Sequence, residues 1–194
     1  MIFGLPDDFA IECYRQDLPA DYGHDVSAVK REWVFGRMCV WCGGQRLGDV
    51  DDINMLDVTE ACFETLADRI GELTDPAVDG LGDSAAFDLL DNAIYGNDGR
   101  TDEQVHGDYM RFEKFKFLID EGEQFDHLKA YLLNTGNGLR LLYRREGETV
   151  GSAKVTEAGI RQAVDGFLAW MRHERKLNQQ EKASNDGPRT DHGQ

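Results

Sequence analysis

Two glycine-centred turn signals, far apart in the chain, constrain its fold more than any other feature. The run Trp33-Val34-Phe35-Gly36-Arg37-Met38-Cys39-Val40-Trp41 is rich in aromatic and β-branched residues and ends at Gly43-Gly44. That pair is the two-residue signal for a tight hairpin with positive φ. Gln45 to Val50 then reads as the returning strand. Near the other end, Lys129 to Leu133 and Leu139 to Arg144 flank Asn134-Thr135-Gly136-Asn137-Gly138, a second hairpin signal. Hairpins make antiparallel pairs, so two or three antiparallel strands open the domain.

Between the hairpins the period changes from two to that of a helix. Cys62, Phe63, Leu66, Ile70 and Leu73 mark one face of a helix running to about Glu72, with Asp57 as N-cap and Glu60 closing a capping box. A second short helix is expected from Ser84 as N-cap through Phe87, Leu90 and Ile94, closed by Gly96-Asn97-Asp98-Gly99. From Tyr109 the pattern reads as strand again, with Phe115, Phe117 and Ile119 alternating. Phe9 to Tyr14 is a further strand, Asp17 to Lys30 a loop, and Thr149-Val150 the start of a short strand. Thr156 caps a last helix carrying Ile160, Val164, Phe167, Leu168 and Met171 at helical spacing. The expected fold is α+β: an antiparallel β-sheet with central helices and a C-terminal helix packed on it. Residues 1–175 form one domain, and residues 176–194 a polar tail expected to be disordered. Phe35, Leu66, Leu132, Ile160 and Phe167 are the expected core.

The charge is unevenly placed. The chain has a net charge of −16, and the stretch Asp49–Asp108 holds seventeen acids against only Arg69 and Arg100. Such a balance excludes direct nucleic-acid binding, which needs clustered Lys and Arg, and disfavours an anionic membrane surface. No apolar run approaches the ~20 residues of a membrane helix, and the N-terminus lacks the basic and apolar regions of a signal peptide. The chain therefore reads as cytoplasmic. A one-sign surface accelerates capture of a basic partner. Asp49, Asp51, Asp52, Asp98, Asp102, Glu103 and Asp108 are the candidate contact residues, the last four on an exposed connection from Asn97 to Asp108.

Catalytic and metal motifs are lacking. Cys39-Val40-Trp41-Cys42 is formally a CxxC, but in a strand residues three apart point to opposite faces, and no second ligand pair exists for zinc. Cys13, Cys39, Cys42 and Cys62 are read as structural thiols. Asp49–Glu60 matches a calcium loop in part, yet Ile53 and Asn54 stand where a ligand oxygen and the turn glycine belong. His127, beside Phe125 and Asp126, is the one candidate general base, without a nucleophile or oxyanion donor to work with. No metal or cofactor is expected. A hydrolase with an unrecognised carboxylate site and a non-inhibitory acidic adaptor remain the rival readings.

The residues also carry a family likeness. Gly4-Leu5-Pro6-Asp7-Asp8-Phe9-Ala10-Ile11-Glu12, then Trp33–Trp41 and Gln45-Arg46-Leu47-Gly48-Asp49, resemble the immunity protein 42 family of bacterial polymorphic-toxin and contact-dependent inhibition systems. Phe125-Asp126-His127-Leu128-Lys129-Ala130-Tyr131-Leu132-Leu133, followed by Arg140-Leu141-Leu142-Tyr143, resembles that family's second half. The likeness runs from Met1 to about Met171. The acidic loop Asp17–Lys30, the CxxC and the polar tail depart from it. The resemblance implies a non-enzymatic inhibitor that binds a cognate toxin C-terminal domain in the cytoplasm and has no catalytic residue. With the acidic segment, it suggests a basic, nuclease-type toxin whose active site is occluded.

Overall fold

The computed structural model of the chain describes residues 1–16, 33–96, 98–118 and 123–185. Its first sheet is antiparallel, in the order β1 (Ile2–Gly4), β2 (Phe9–Arg15), β3 (Phe35–Cys42) and β4 (Gln45–Leu47), with β5 (Asn54–Met55) also pairing on β3. Gly43 and Gly44 take φ of 55° and 78°, so the first hairpin closes as its sequence requires. The second sheet is β6 (Leu128–Thr135), β7 (Gly138–Arg145) and β8 (Gly151–Val155), again antiparallel throughout. Its tight turn puts Gly138 at φ 100°, and Thr135 pairs with Gly138 across it.

Four α-helices complete the fold: α1 (Leu56–Arg69), α2 (Asp83–Tyr95), α3 (Asp102–Phe112) and α4 (Glu157–Asn185). Helix α4 packs on β1, β2 and α1, whereas α2 packs on α3 and β7. Phe167 of α4 meets Phe63 of α1 edge-on at 5.6 Å, and Phe87 of α2 meets Tyr131 of β6 at 5.1 Å. One continuous apolar cluster runs through both sheets and all four helices. Leu66, Leu132, Ile160 and Phe167 lie inside it as expected, but Phe35 is only half-buried, on the outer face of β3.

Several local expectations need correction. The stretch read as a loop to Asp108 and a strand from Tyr109 is instead α3 followed by a 3-10 turn, Glu113–Phe115. Among the described residues only an isolated bridge, Lys116 to Tyr131, survives of the expected strand, and Ile119 lies outside them. The cause is a capping box that sequence reading overlooked: Gln104 N–H donates to Thr101 Oγ1 at 3.3 Å and Thr101 N–H to Gln104 Oε1 at 2.9 Å. The expected box at Asp57 and Glu60 does not form. Met55 precedes α1 without a side-chain cap, because both acids are drawn elsewhere. Gly82, not Ser84, precedes α2. The return strand β4 stops at Leu47, and the last strand starts at Gly151 rather than Thr149.

Thr156 does cap α4, its Oγ1 accepting from Gly159 N–H at 2.9 Å, with Asp8 receiving the Thr156 N–H. That helix continues through residues 176–185 of the polar segment. The loop Asp17–Lys30 and residues 186–194 lie outside the described residues. Among the described residues, no helix is long and apolar enough to cross a membrane.

Candidate functional site

Nine of the seventeen acids between Asp49 and Asp108 find a base when the chain folds. Arginines and a lysine from later elements reach back to it. Arg175 of α4 donates to Asp57 at 2.7 Å and to Glu60, and Arg111 forks onto Asp75 at 2.6 and 2.8 Å. On β7, Arg140 takes Asp83 at 2.8 Å, and Arg144 takes Asp88 at 3.3 Å and Asp91 at 3.1 Å. Asp91 also receives Lys129 at 2.6 Å and the Tyr131 hydroxyl at 3.0 Å. Alternation along β6 and β7 places these bases on the face that α2 covers, so sheet and helix are joined by charge as well as by packing. Within Asp49–Asp108, the acids with no ion pair among the described residues are Asp49, Asp52, Glu64, Asp68, Glu72, Asp79, Asp102 and Glu103.

The seven candidate contact residues fall into two groups, and no hydrogen bond or ion pair among the described residues joins them. Asp98, Asp102, Glu103 and Asp108 surround the start of α3. Asp98 and Asp108 both bind Arg100, at 2.7 and 2.6 Å. The same guanidinium donates to the carbonyls of Asn92, Ala93 and Gly96 and so closes the C-terminus of α2. That hydrogen bonding lowers the Asp98 carboxyl below its ordinary value and raises Arg100 above its own. Both acids hold Arg100 in place while their own side chains stay partly exposed. Asp102 and Glu103 project from the first turn of α3, where the helix dipole favours negative charge, and stay exposed.

Asp49, Asp51 and Asp52 sit on the connection from β4 to β5. Asp49 Oδ1 accepts the Asp51 N–H at 2.9 Å in a local turn, and Asp51 lies 3.3 Å from Arg37. Asp49 and Asp52 line a cleft of about 400 Å³ at the seam of the two sheets, with Arg46, Gln124, His127 and Arg145 around it. Gly48 holds one wall. At φ 93° it faces the Phe125 ring so closely that an added Cβ would fall 2.5 Å from a ring carbon. The Asp49 N–H donates to the Gln124 carbonyl at 2.8 Å, and Arg145 donates to the Arg46 carbonyl at 2.6 Å.

Gln124 is the unusual member. It is 3% exposed, and neither side-chain polar atom has a hydrogen-bond partner among the described residues. An unpaired buried amide costs about 1–3 kcal/mol. Sequence reading missed it, since Glu123-Gln124-Phe125 looks like any polar turn. His127 lies at the cleft mouth, 3.7 Å from Glu146, and both side chains are open to solvent. No His, Cys, Asp or Glu cluster among the described residues could hold a metal ion. The thiols Cys13, Cys39 and Cys42 are free and buried, and burial pushes Cys13 and Cys39 up to about 12. Among the described residues the site therefore offers charge, shape and one unsatisfied amide.

The family model described as immunity protein 42 matches residues 1–170. CdiI from Burkholderia dolosa AUO158 has a similar crystal structure, with a TM-score of 0.58 over 87% of this chain and 99% of that one. The two sequences are 15% identical, so the likeness is one of fold. No curated protein matches the chain.

Proposed function

The chain belongs to the immunity protein 42 family, and from that membership we propose that it binds a cognate toxin domain in the cytoplasm and neutralises it by covering its active site. The toxin surface it meets is basic, as in an enzyme that attacks nucleic acid. The observation that supports this reading is the set of acids in the Asp49–Asp108 stretch left without an ion pair among the described residues, among them the half-buried Asp52 and the exposed Asp102 and Glu103. Acids already paired inside the fold add nothing to an encounter, whereas unpaired ones attract a basic partner over about a Debye length.

Asp49 and Asp52 at the cleft, together with Asp102 and Glu103 on α3, are the contact residues in this proposal. Asp98 and Asp108 act through Arg100 instead, and Asp51 through Arg37. The test is the Asp52→Ser, Asp102→Ser, Glu103→Ser triple variant, measured against the toxin domain encoded in the same locus. Steered association falls toward the neutral range of about 10⁵–10⁶ M⁻¹s⁻¹ when such charges are removed, and its dependence on salt flattens. Melting temperature should fall only modestly, since the three make no ion pair among the described residues and lose at most the favourable helix-dipole contact of Asp102 and Glu103, about 0.3–1 kcal/mol each. An unaltered association rate and salt slope would remove these acids from the interface.

A further inference from the structure

We propose that the cleft between the sheets anchors the toxin by receiving an amide of a toxin segment, either an Asn or Gln side chain or a main-chain peptide group, against Gln124. This rests on the toxin-binding reading above and adds to it the point where the partner is held rather than merely attracted.

Three observations converge there. Gln124 is buried with both Oε1 and Nε2 unpartnered among the described residues, at a cleft also lined by Gly48 and Leu128, where an apolar side chain would leave no bond unmet. Native chains almost always satisfy buried amides, so an exception points to a group supplied from outside. A carboxamide presents one acceptor and one donor side by side, and the group that completes both is another amide.

The walls bear both signs. Arg46 and Arg145 stand across from Asp49 and Asp52. That mixture suits a polypeptide segment better than a phosphate or a lone cation. The cleft is also held in shape: Gly48 is locked against Phe125, the Asp49–Gln124 hydrogen bond ties the β4–β5 connection to the Glu123–Phe125 turn, and the Arg145–Arg46 hydrogen bond ties one sheet to the other. The walls lose little on binding because they are preformed, the Gln124 side chain, whose polar atoms are closed to solvent, turns outward to meet the segment, and about 400 Å³ admits one side chain or one turn of peptide.

The discriminating variant is Gln124→Met in the full chain, with the toxin domain of the same locus as probe. Dissociation is measured at about 1 M salt, where steering by exposed acids is screened. The expected result is a higher melting temperature, because an unmet polar group is gone, together with dissociation at least about tenfold faster, equivalent to ~1.4 kcal/mol. A raised melting temperature with unchanged dissociation overturns the proposal. If Gln124→Met lowers the melting temperature, Arg46→Ser decides, since that side chain is exposed at the cleft and has no ion pair among the described residues. Faster dissociation of that variant supports the cleft, and an unchanged rate overturns it. Wild-type chain that fails to bind the toxin would sink the toxin reading itself, a result distinct from either.

Discussion

Replacing Arg175 by Met tests whether the acids of α1 are held from α4. Arg175 donates to Asp57 through Nε and Nη2, at 3.1 and 2.7 Å, and to Glu60 through Nη1 at 3.0 Å. The side chains of Asp57 and Glu60 are only 8% and 7% exposed, whereas Arg175 is 35% exposed. Removing the guanidinium would leave two carboxylates without a counter-charge, and Asp57 would keep only the Val34 N–H at 2.7 Å. Breaking a fully buried pair costs about 3–5 kcal/mol, and water entering through the exposed side of Arg175 reduces that to about 2–4 kcal/mol. In a domain of this size the melting temperature should fall by about 4–16 °C. Urea unfolding followed by tryptophan fluorescence gives the free energy directly. Adding Glu60→Met to Arg175→Met should recover about 1–2 kcal/mol, because one of the stranded charges disappears. A cost below about 0.5 kcal/mol for Arg175→Met, or strictly additive losses in the double variant, would refute the network.

Three more outcomes follow from the same geometry. The Arg111 hydrogen bonds hold the Asp75 carboxyl below its ordinary value of 3.8. The stability this adds is complete above that value and is lost as pH falls through the lower folded value, so Arg111→Gln should flatten the acid limb of a urea-midpoint profile below about pH 4. Ellman's reagent at about pH 8 should find about one reactive thiol in the native chain, Cys62, because burial keeps Cys13, Cys39 and Cys42 protonated. All four should react in denaturant. Thr101→Ala removes the cap of α3 and should cost about 1 kcal/mol in thermal or urea melts.

What the sequence disclosed was whatever depends on neighbouring residues. Gly43-Gly44 and the Asn134–Gly138 turn specify hairpins locally, and the apolar stripes of α1, α2 and α4 show their period without help. Helix α3 escaped because it buries little beyond Phe112 and carries Gly107 within it, so its apolar signal is weak. The Thr101–Gln104 spacing was nevertheless there to be read. Strand β1 is three residues long at a sheet edge, too short for a pattern. The fate of the acids was hidden for a different reason. Whether Asp57 caps a helix or binds Arg175 depends on a residue 118 positions away. Likewise Asp88 and Asp91 meet Arg144 only because of the β7 register and the seating of α2. Gln124 becomes conspicuous only once both sheets are in place around it.

The packing of α4 across β1 and β2 also sets an order of events during synthesis. The β2–β3 hairpin can form as soon as it leaves the ribosome, but the helix that shields it contributes Phe167 and Trp170 from near the other end of the chain. At ordinary elongation rates of about 5–20 residues per second, the roughly 125 intervening residues take some 6–25 seconds to emerge. For that interval the apolar face of the nascent hairpin must be kept from neighbouring chains. A cell relying on this protein for protection therefore draws on finished copies, and the lag between transcription and shelter includes the wait for α4.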